Sequence, residues 1–330
     1  MLLEKLPFFT IIIPTYNSEK KLGKCLESIM KQEYPLRKRE VLIVDGGSED
    51  NTLEICKKYN CSVIFNTKRL AEPGVSLGLK EAQGEIYTIL AADNILDGKD
   101  WLEKMAKPFM DSSIFAAFPI QVSAENDNWI TRYINTFTDP FNHFIYGWAS
   151  NSRTFGKAYK VLEKTDDYIV YDYNLDNHPI LAFAQGFTIR EGLKRSEKSE
   201  SCDILPILEM IREKLKIAYV PEARLIHNTV DSLKHFIKKQ RWAASNFFLK
   251  KSFGFAAREV YMTNKKKKKY FWIIYALSLF APFAFSIYCL LRDKKKEWIY
   301  HAPLSFITGL IVFYEFIRIK VFRIRKTLDR

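Results

Sequence analysis

Three short stretches gather residues suited to holding a phosphate-bearing ligand, and each follows an apolar run. They are Pro14-Thr15-Tyr16-Asn17, Asp45-Gly46-Gly47-Ser48-Glu49-Asp50-Asn51-Thr52 and Ala91-Ala92-Asp93-Asn94, and a later apolar stretch ends in His227. Asp45 could accept hydrogen bonds from a base or a ribose, and the helix start behind it would add N–H groups. Asp93 is a hard oxygen ligand of the kind suited to Mg2+ or Mn2+. A divalent ion bridging phosphates would stabilise charge developing on a leaving diphosphate. Each residue alone has a plainer reading: a single Asp at a strand end is more often a cap or turn former, His227 a structural histidine, Tyr16 a packing residue. The order and spacing of the set favour one shared site.

The elements that must position these residues are legible as alternating strands and helices. Phe8–Pro14 reads as a buried strand ended by proline. A helix over Glu19–Gln32 follows, with Asn17 or Ser18 as cap and Leu22, Leu26, Ile29 and Met30 on one face. Glu40–Gly47 is a second buried strand, Ser62–Asn66 a third, and Glu85–Asn94 a fourth after a helix over Gly74–Ala82. Further on, the sequence predicts a helix over Asp100–Met110 and a strand at Ala116–Ser123. Asn126–Tyr146 reads as a helix with a mobile segment, and a helix follows at Cys202–Lys214. Ile217–His227 reads as a strand, a turn and a short strand. Such alternation means an α/β fold with a doubly wound, mostly parallel sheet, whose site lies at the carboxyl ends of the strands.

Taken together, the stretches IIIPTYN, VDGGSEDNT, GEIYTILAADN, AQGFTIR and YVPEARLIH resemble the inverting family-2 glycosyltransferases of GT-A fold, which include dolichyl-phosphate sugar synthases. The resemblance runs from Phe8 to His227. It implies that Pro14, Thr15, Tyr16 and Asp45 hold the nucleoside and that Arg69 contacts the nucleotide. It puts the family's D-x-D on Ala91-Ala92-Asp93, so that Ala92 borders the donor and Asp93 is the metal ligand, completed by His227. Gln185-Gly186 would sit by the donor sugar or the acceptor. The family's catalytic Glu-Asp falls on Glu200-Ser201, so the candidate base is Asp203, with Glu200 as the alternative. An inverting transfer needs one carboxylate to take the acceptor's proton; a phosphate acceptor, already ionised, needs none. The implied cofactor is Mg2+ or Mn2+, and the implied donor a UDP- or GDP-sugar.

Charge separates the chain into two parts. The net charge is +13, yet from Asp231 onward there are 22 Lys and Arg against 6 Asp and Glu, while the first 230 residues carry 29 against 32. The basic runs flank apolar segments, which is how juxtamembrane Lys and Arg meet anionic lipid heads, and so they point to a membrane rather than to nucleic acid. Phe271–Leu291 holds 21 residues without a charge, and Trp298–Tyr314 another 17. The first is long enough to cross a bilayer, which takes about 20 residues. If both cross, the basic loop Arg292–Glu297 faces outward against the positive-inside rule; a re-entrant or interfacial hairpin is the alternative. The expected organisation is a GT-A domain over residues 1–230, basic amphipathic juxtamembrane helices over 231–269 and a two-segment transmembrane or re-entrant hairpin over 270–330.

Five cysteines without a C-x-x-C pair fit a reducing compartment and give no zinc signature. The N-terminal apolar run is short, stops at Pro14 and lacks a cleavage site, so the first domain is expected on the cytoplasmic side. Gln240-Arg241-Trp242 resembles the Q-x-x-R-W of processive synthases, but Lys238 stands where the first Gln belongs, which argues against a polymer-exporting channel. The function expected is transfer of a hexose, with inversion, from a UDP- or GDP-sugar to a membrane-associated acceptor such as a polyprenyl phosphate or a lipid-linked glycan. The competing reading is a non-catalytic member that binds the sugar nucleotide as a scaffold, because Ala91 and Ser201 stand where carboxylates are expected. A nucleotidyltransferase is disfavoured, since no Gly-rich, Lys-bearing loop follows the first strand.

Overall fold

The computed structural model describes residues 6–193, 203–250 and 254–324. Its strands are β1 (Phe9–Thr15), β2 (Arg39–Asp45), β3 (Ser62–Phe65), β4 (Ile86–Leu90), β5 (Asn94–Asp97), β6 (Ile114–Val122), β7 (Val161–Lys164), β8 (Ile169–Tyr171), β9 (Gln185–Arg190) and β10 (Lys216–His227). The α-helices up to β10 are α1 (Glu19–Met30), α2 (Thr52–Lys58), α3 (Ala71–Glu81), α4 (Trp101–Ala106), α5 (Trp129–Phe137), α6 (Pro140–Tyr146), α7 (Phe155–Ala158) and α8 (Leu205–Arg212). Beyond it come α9 (Leu233–Leu249), α10 (Gly254–Arg258), α11 (Lys268–Leu277), α12 (Phe280–Asp293) and α13 (His301–Phe316).

The chain divides into two compact units, one of residues 1–122, 159–172 and 181–227, the other of 123–158, 173–180 and 228–330. Residues 123–158 and 173–180, expected from sequence within the N-terminal domain, thus group with the C-terminal helices.

The first unit holds the sheet, in the order β3-β2-β1-β4-β9-β6-β10-β8-β7, with β5 paired to β10. It is mixed rather than mostly parallel. β1 pairs in parallel with β2 and with β4, but β9 enters antiparallel between β4 and β6, and β5 and β8 run antiparallel to β10. The apolar runs at β1, β2 and β4 are buried, as a central strand covered on both faces requires. Between β1 and β4 the strand order reverses, and Thr15 and Asp45 end β1 and β2 in direct register.

Two expected strands come out differently. The fourth breaks into β4 and β5, because the Asn94 side chain turns back to accept from the Ala91 N–H at 3.0 Å. Ile217–His227, expected as strand, turn and strand, stays one strand with a register shift between Val220 and Arg224. Gly186 makes a bulge in β9: Ile89 faces Phe187 and Leu90 faces Gln185, with Gly186 skipped at φ +74°. A Cβ there would meet Pro119 Cγ at 2.8 Å.

The second unit is helical. α9 is capped by Ser232, whose Oγ accepts from the His235 N–H at 3.2 Å. The 21-residue uncharged run is not one helix. It breaks at Ser278–Leu279 into α11 and α12, which bend by 93°, and among the described residues no single helix is long and apolar enough to cross a membrane. The cause is local. Pro282 lacks an N–H and its ring would strike the carbonyl of Ser278 if the helix ran on, so Leu279 takes φ +58° and a new helix starts. The second expected segment becomes α13, 16 residues long, and it buries His301, Ser305, Thr308 and Glu315 inside the unit. Glu315 is fully buried and accepts from Arg241 Nε at 3.0 Å and Arg318 Nε at 2.6 Å, so charge anchors the helix end within the unit.

Gly186→Ala should destabilise the first unit by about 1–3 kcal/mol, because it combines strain at positive φ with a clash against the Pro119 ring; urea denaturation monitored by tryptophan fluorescence measures it.

Candidate active site

Two clusters form where β1, β2, β4 and β10 end. The first is built on Asp45, which is buried. Its Oδ2 accepts from the N–H groups of Gly47 and Ser48, both at 2.8 Å. Its Oδ1 accepts from Ser48 Oγ at 2.6 Å and from Thr15 Oγ1 at 3.2 Å. Gly47 stands at φ +84°, which lets successive N–H groups turn onto one carboxylate. A carboxylate offers about four acceptor positions, and here all four are used. Asp45 therefore shapes the loop between β2 and α2. A ligand hydroxyl or N–H reaches it only by displacing one of the two hydroxyls, and the longer Thr15 bond is the weaker.

The loop is locked from the β1 side as well. Asn17 N donates to Ser48 Oγ, and Glu49 N donates to Asn17 Oδ1, both at 2.9 Å. Tyr16 stands 44% exposed beside it, and Pro14 pairs with Val44. Arg69 is exposed at φ +58°, and its Cα lies 3.3 Å from where a Gly46 side chain would begin. The predicted residues Pro14, Thr15, Tyr16, Asp45 and Arg69 thus come together. Ser48 and Asn17 complete the lock and are absent from the predicted site set, although polar residues directly after strand ends are a signal for both.

The second cluster is built on Asp93 and His227. Asp93 Oδ1 lies 3.9 Å from His227 Nε2, and both side chains are partly exposed, 23% and 13%. Pairing of β5 with β10 causes this, since it sets His227 opposite Asn94. A relay of amides fixes the imidazole. Ala91 N donates to Asn94 Oδ1 at 3.0 Å, so Asn94 Nδ2 faces outward and donates to Gln185 Oε1 at 2.7 Å. That leaves Gln185 Nε2 to face His227 Nε2 at 3.3 Å. An amide N–H can only donate, so the Nε2 lone pair of His227 accepts from Gln185, and Asp93 Oδ1 lies 3.9 Å from the same nitrogen. Gly186 follows Gln185 at the bulge, and Ala92 is half-buried next to Asp93.

The site also holds a cation that the sequence reading missed. Lys21 Nζ, from the first turn of α1, lies 3.4 Å from Asp93 Oδ2. A lysine is disfavoured at a helix N-terminus by the helix dipole, which was the signal for it. Cys25 is not a nucleophile: burial, reinforced by the charge on Asp93, pushes its thiol far above the usual cysteine range. Asp203 lies in the turn ahead of α8. Glu200, the alternative base, lies outside the described residues.

A hard carboxylate and an unprotonated imidazole nitrogen, close together, suit Mg2+ or Mn2+ once the ion takes the place of the Gln185 N–H at Nε2. Among the described residues there is no group of three or more His, Cys, Asp or Glu placed to hold a metal, so those residues offer a pair, Asp93 and His227.

Comparison with known proteins decides the family. The model of glycosyl transferase family 2 matches residues 10–174, half of the chain. The chain belongs to that family. Over 92 residues, 26% of this chain and 29% of the relative, it is 39% identical to a Methanococcus voltae enzyme named dolichyl N-acetyl-alpha-D-glucosaminyl phosphate 3-beta-D-2,3-diacetamido-2,3-dideoxy-beta-D-glucuronosyltransferase. Over 105 residues, 30% of this chain and 34% of the relative, it is 33% identical to glycosyltransferase AglE of Haloferax volcanii. The matched part thus spans about a third of these relatives' length. Mannosyltransferase PcManGT from Pyrobaculum calidifontis, solved with GDP-Man and Mn2+, shares the fold at a TM-score of 0.55 and 16% identity, over 95% of this chain and 88% of that one. The GT-A-type α/β fold with its mixed sheet is thereby established for this family-2 member.

The relay yields a tautomer prediction. Asn94→Asp turns the outward amide donor into an acceptor, so Gln185 flips and presents its oxygen to His227, which must then carry its proton on Nε2. Two-bond 15N–1H correlation spectra should show the Nδ1–H form in the wild type and the Nε2–H form in the variant; an unchanged tautomer contradicts the relay.

Proposed function

We propose that this family-2 member is an inverting hexosyltransferase, moving a sugar from a UDP- or GDP-sugar to a membrane-associated acceptor such as a polyprenyl phosphate or a lipid-linked glycan. The observation that carries it is the pair of clusters at adjoining strand ends: a locked Asp45 loop suited to a nucleoside, and Asp93 with His227 suited to a diphosphate-bound ion. The dolichyl-linked substrate in the Methanococcus voltae relative's name supports the acceptor class, and the GDP-Man and Mn2+ bound to the Pyrobaculum calidifontis neighbour support the donor class.

In this reading Thr15, Tyr16, Asp45 and Arg69 hold the nucleoside and its first phosphate. Asp93 and His227 would hold Mg2+ or Mn2+, which when bound supplies charge neutralisation at the donor's diphosphate. Lys21 can turn from Asp93 toward the phosphates and add a second positive charge on the leaving group. Asp203, or Glu200, takes the proton of an acceptor hydroxyl as it attacks the anomeric carbon from the face opposite the diphosphate; a phosphate acceptor attacks already ionised. Four free cysteines among the described residues suit a reducing, cytoplasmic setting.

A donor screen by calorimetry tests this. UDP- or GDP-sugars with Mn2+ should bind, and chelation of the metal should weaken binding at least tenfold. Asp93→Asn should lower transfer into a membrane lipid extract by about 100-fold or more, as expected for a group whose interaction strengthens in the transition state. Absence of binding at millimolar donor would sink the proposal. The Lys21–Asp93 pair together with Ala91 favours one second reading, a donor-binding scaffold; wild-type protein that binds donor but neither transfers nor hydrolyses it would establish that reading instead.

A further inference from the structure

The elbow formed by α11 and α12 carries large apolar side chains on its outer face as well as on its inner one. On α12 the residues facing the unit's interior are Pro282, Ser286 and Cys289, all buried, with Phe285 and Leu290 packed partly against the same core. Other large apolar residues, Phe280, Phe283, Ile287, Tyr288 and Leu291, recur at helical spacing on the opposite face, and Phe280 is 85% and Leu291 73% exposed. On α11, Tyr270, Phe271 and Ile274 are exposed likewise, while Trp272 and Ala276 turn inward. So large and continuous an apolar face marks an interaction surface.

Charge says what covers it. Lysines sit at the two far ends of the elbow and nowhere on its apolar stripe. Lys266 and Lys267 ahead of α11 and Lys268 at its first position are exposed, and Lys294, Lys295 and Lys296 are exposed after α12. An apolar stripe with aromatic residues, bounded by lysines, matches the boundary between acyl chains and anionic headgroups. Each arm is too short to cross. Fourteen residues of α12 rise about 21 Å at 1.5 Å per residue, against a hydrocarbon core of about 30 Å, and the 93° bend prevents the two arms from adding.

We propose that the α11–α12 elbow lies in the plane of one leaflet of an anionic membrane, entering from one side without spanning it. The partner is a lipid surface, and binding requires no nucleotide, so this inference and the glycosyl-transfer reading fail separately.

Flotation of the full chain with preformed, sealed vesicles tests it, using phosphatidylcholine alone or phosphatidylcholine with phosphatidylglycerol as the minor component. The wild type should float with the anionic vesicles when simply added from outside. The F283D/L291D variant should lose at least about tenfold in partition on both vesicle types. The K294Q/K295Q/K296Q variant should lose about tenfold on the anionic vesicles only. Both changes are at exposed positions, and an unchanged melting temperature shows that the fold is kept. Failure to float, or flotation only after reconstitution from detergent, would overturn the proposal. So would a dimer that F283D/L291D dissociates while lipid binding is absent, since a second copy would then be what covers this face.

Discussion

A single backbone N–H sets the state of the second cluster. Ala91 donates to Asn94, Asn94 can then only donate to Gln185, and Gln185 can then only donate to His227. Because amides have one accepting and one donating end, the chain carries orientation without ambiguity from the end of β4 to the end of β10. Its product is an imidazole whose Nε2 lone pair is held by the Gln185 amide, 3.9 Å from the Asp93 carboxylate. Such support is what keeps a ligand's tautomer fixed before anything binds.

The first cluster works by the opposite arrangement. There the carboxylate of Asp45 is saturated by donors from its own loop and from Thr15, so the charge serves the loop's shape. One aspartate is buried and used up, the other is half-open and available. A nucleoside diphosphate needs both kinds of support, a rigid cradle for the base and ribose and an open ligand for the phosphates. The Lys21 ammonium fits the same logic, since it keeps the open carboxylate paired and remains free to move to a more negative partner.

The second unit shows how composition can mislead about architecture. A run of 21 uncharged residues satisfies the length rule for a span, yet one proline four residues past Ser278 ends the helix and forces a right-angle turn. The next apolar run places a glutamate where it is buried against two arginines, which fixes that helix end within protein. What remains exposed is a face rather than a span.

Much of the fold was legible in the sequence. Buried strands read as apolar runs, helix starts as Ser, Asn and Asp, and the strand-end polar residues gave Thr15, Asp45 and Asp93 directly, because these features are local. The family resemblance gave His227 its role and added Gln185. Other features were out of reach for a physical reason: they depend on pairing between distant segments. The antiparallel entry of β9, the register that sets His227 against Asn94, and the meeting of Lys21 with Asp93 join residues 72 to 133 positions apart. The grouping of residues 123–158 with the C-terminal helices is of the same kind. The sequence by itself determined which residues end each strand and carry the chemistry. Only the tertiary structure decided which of them meet, since hydrogen-bond direction and strand register are properties of the assembled sheet.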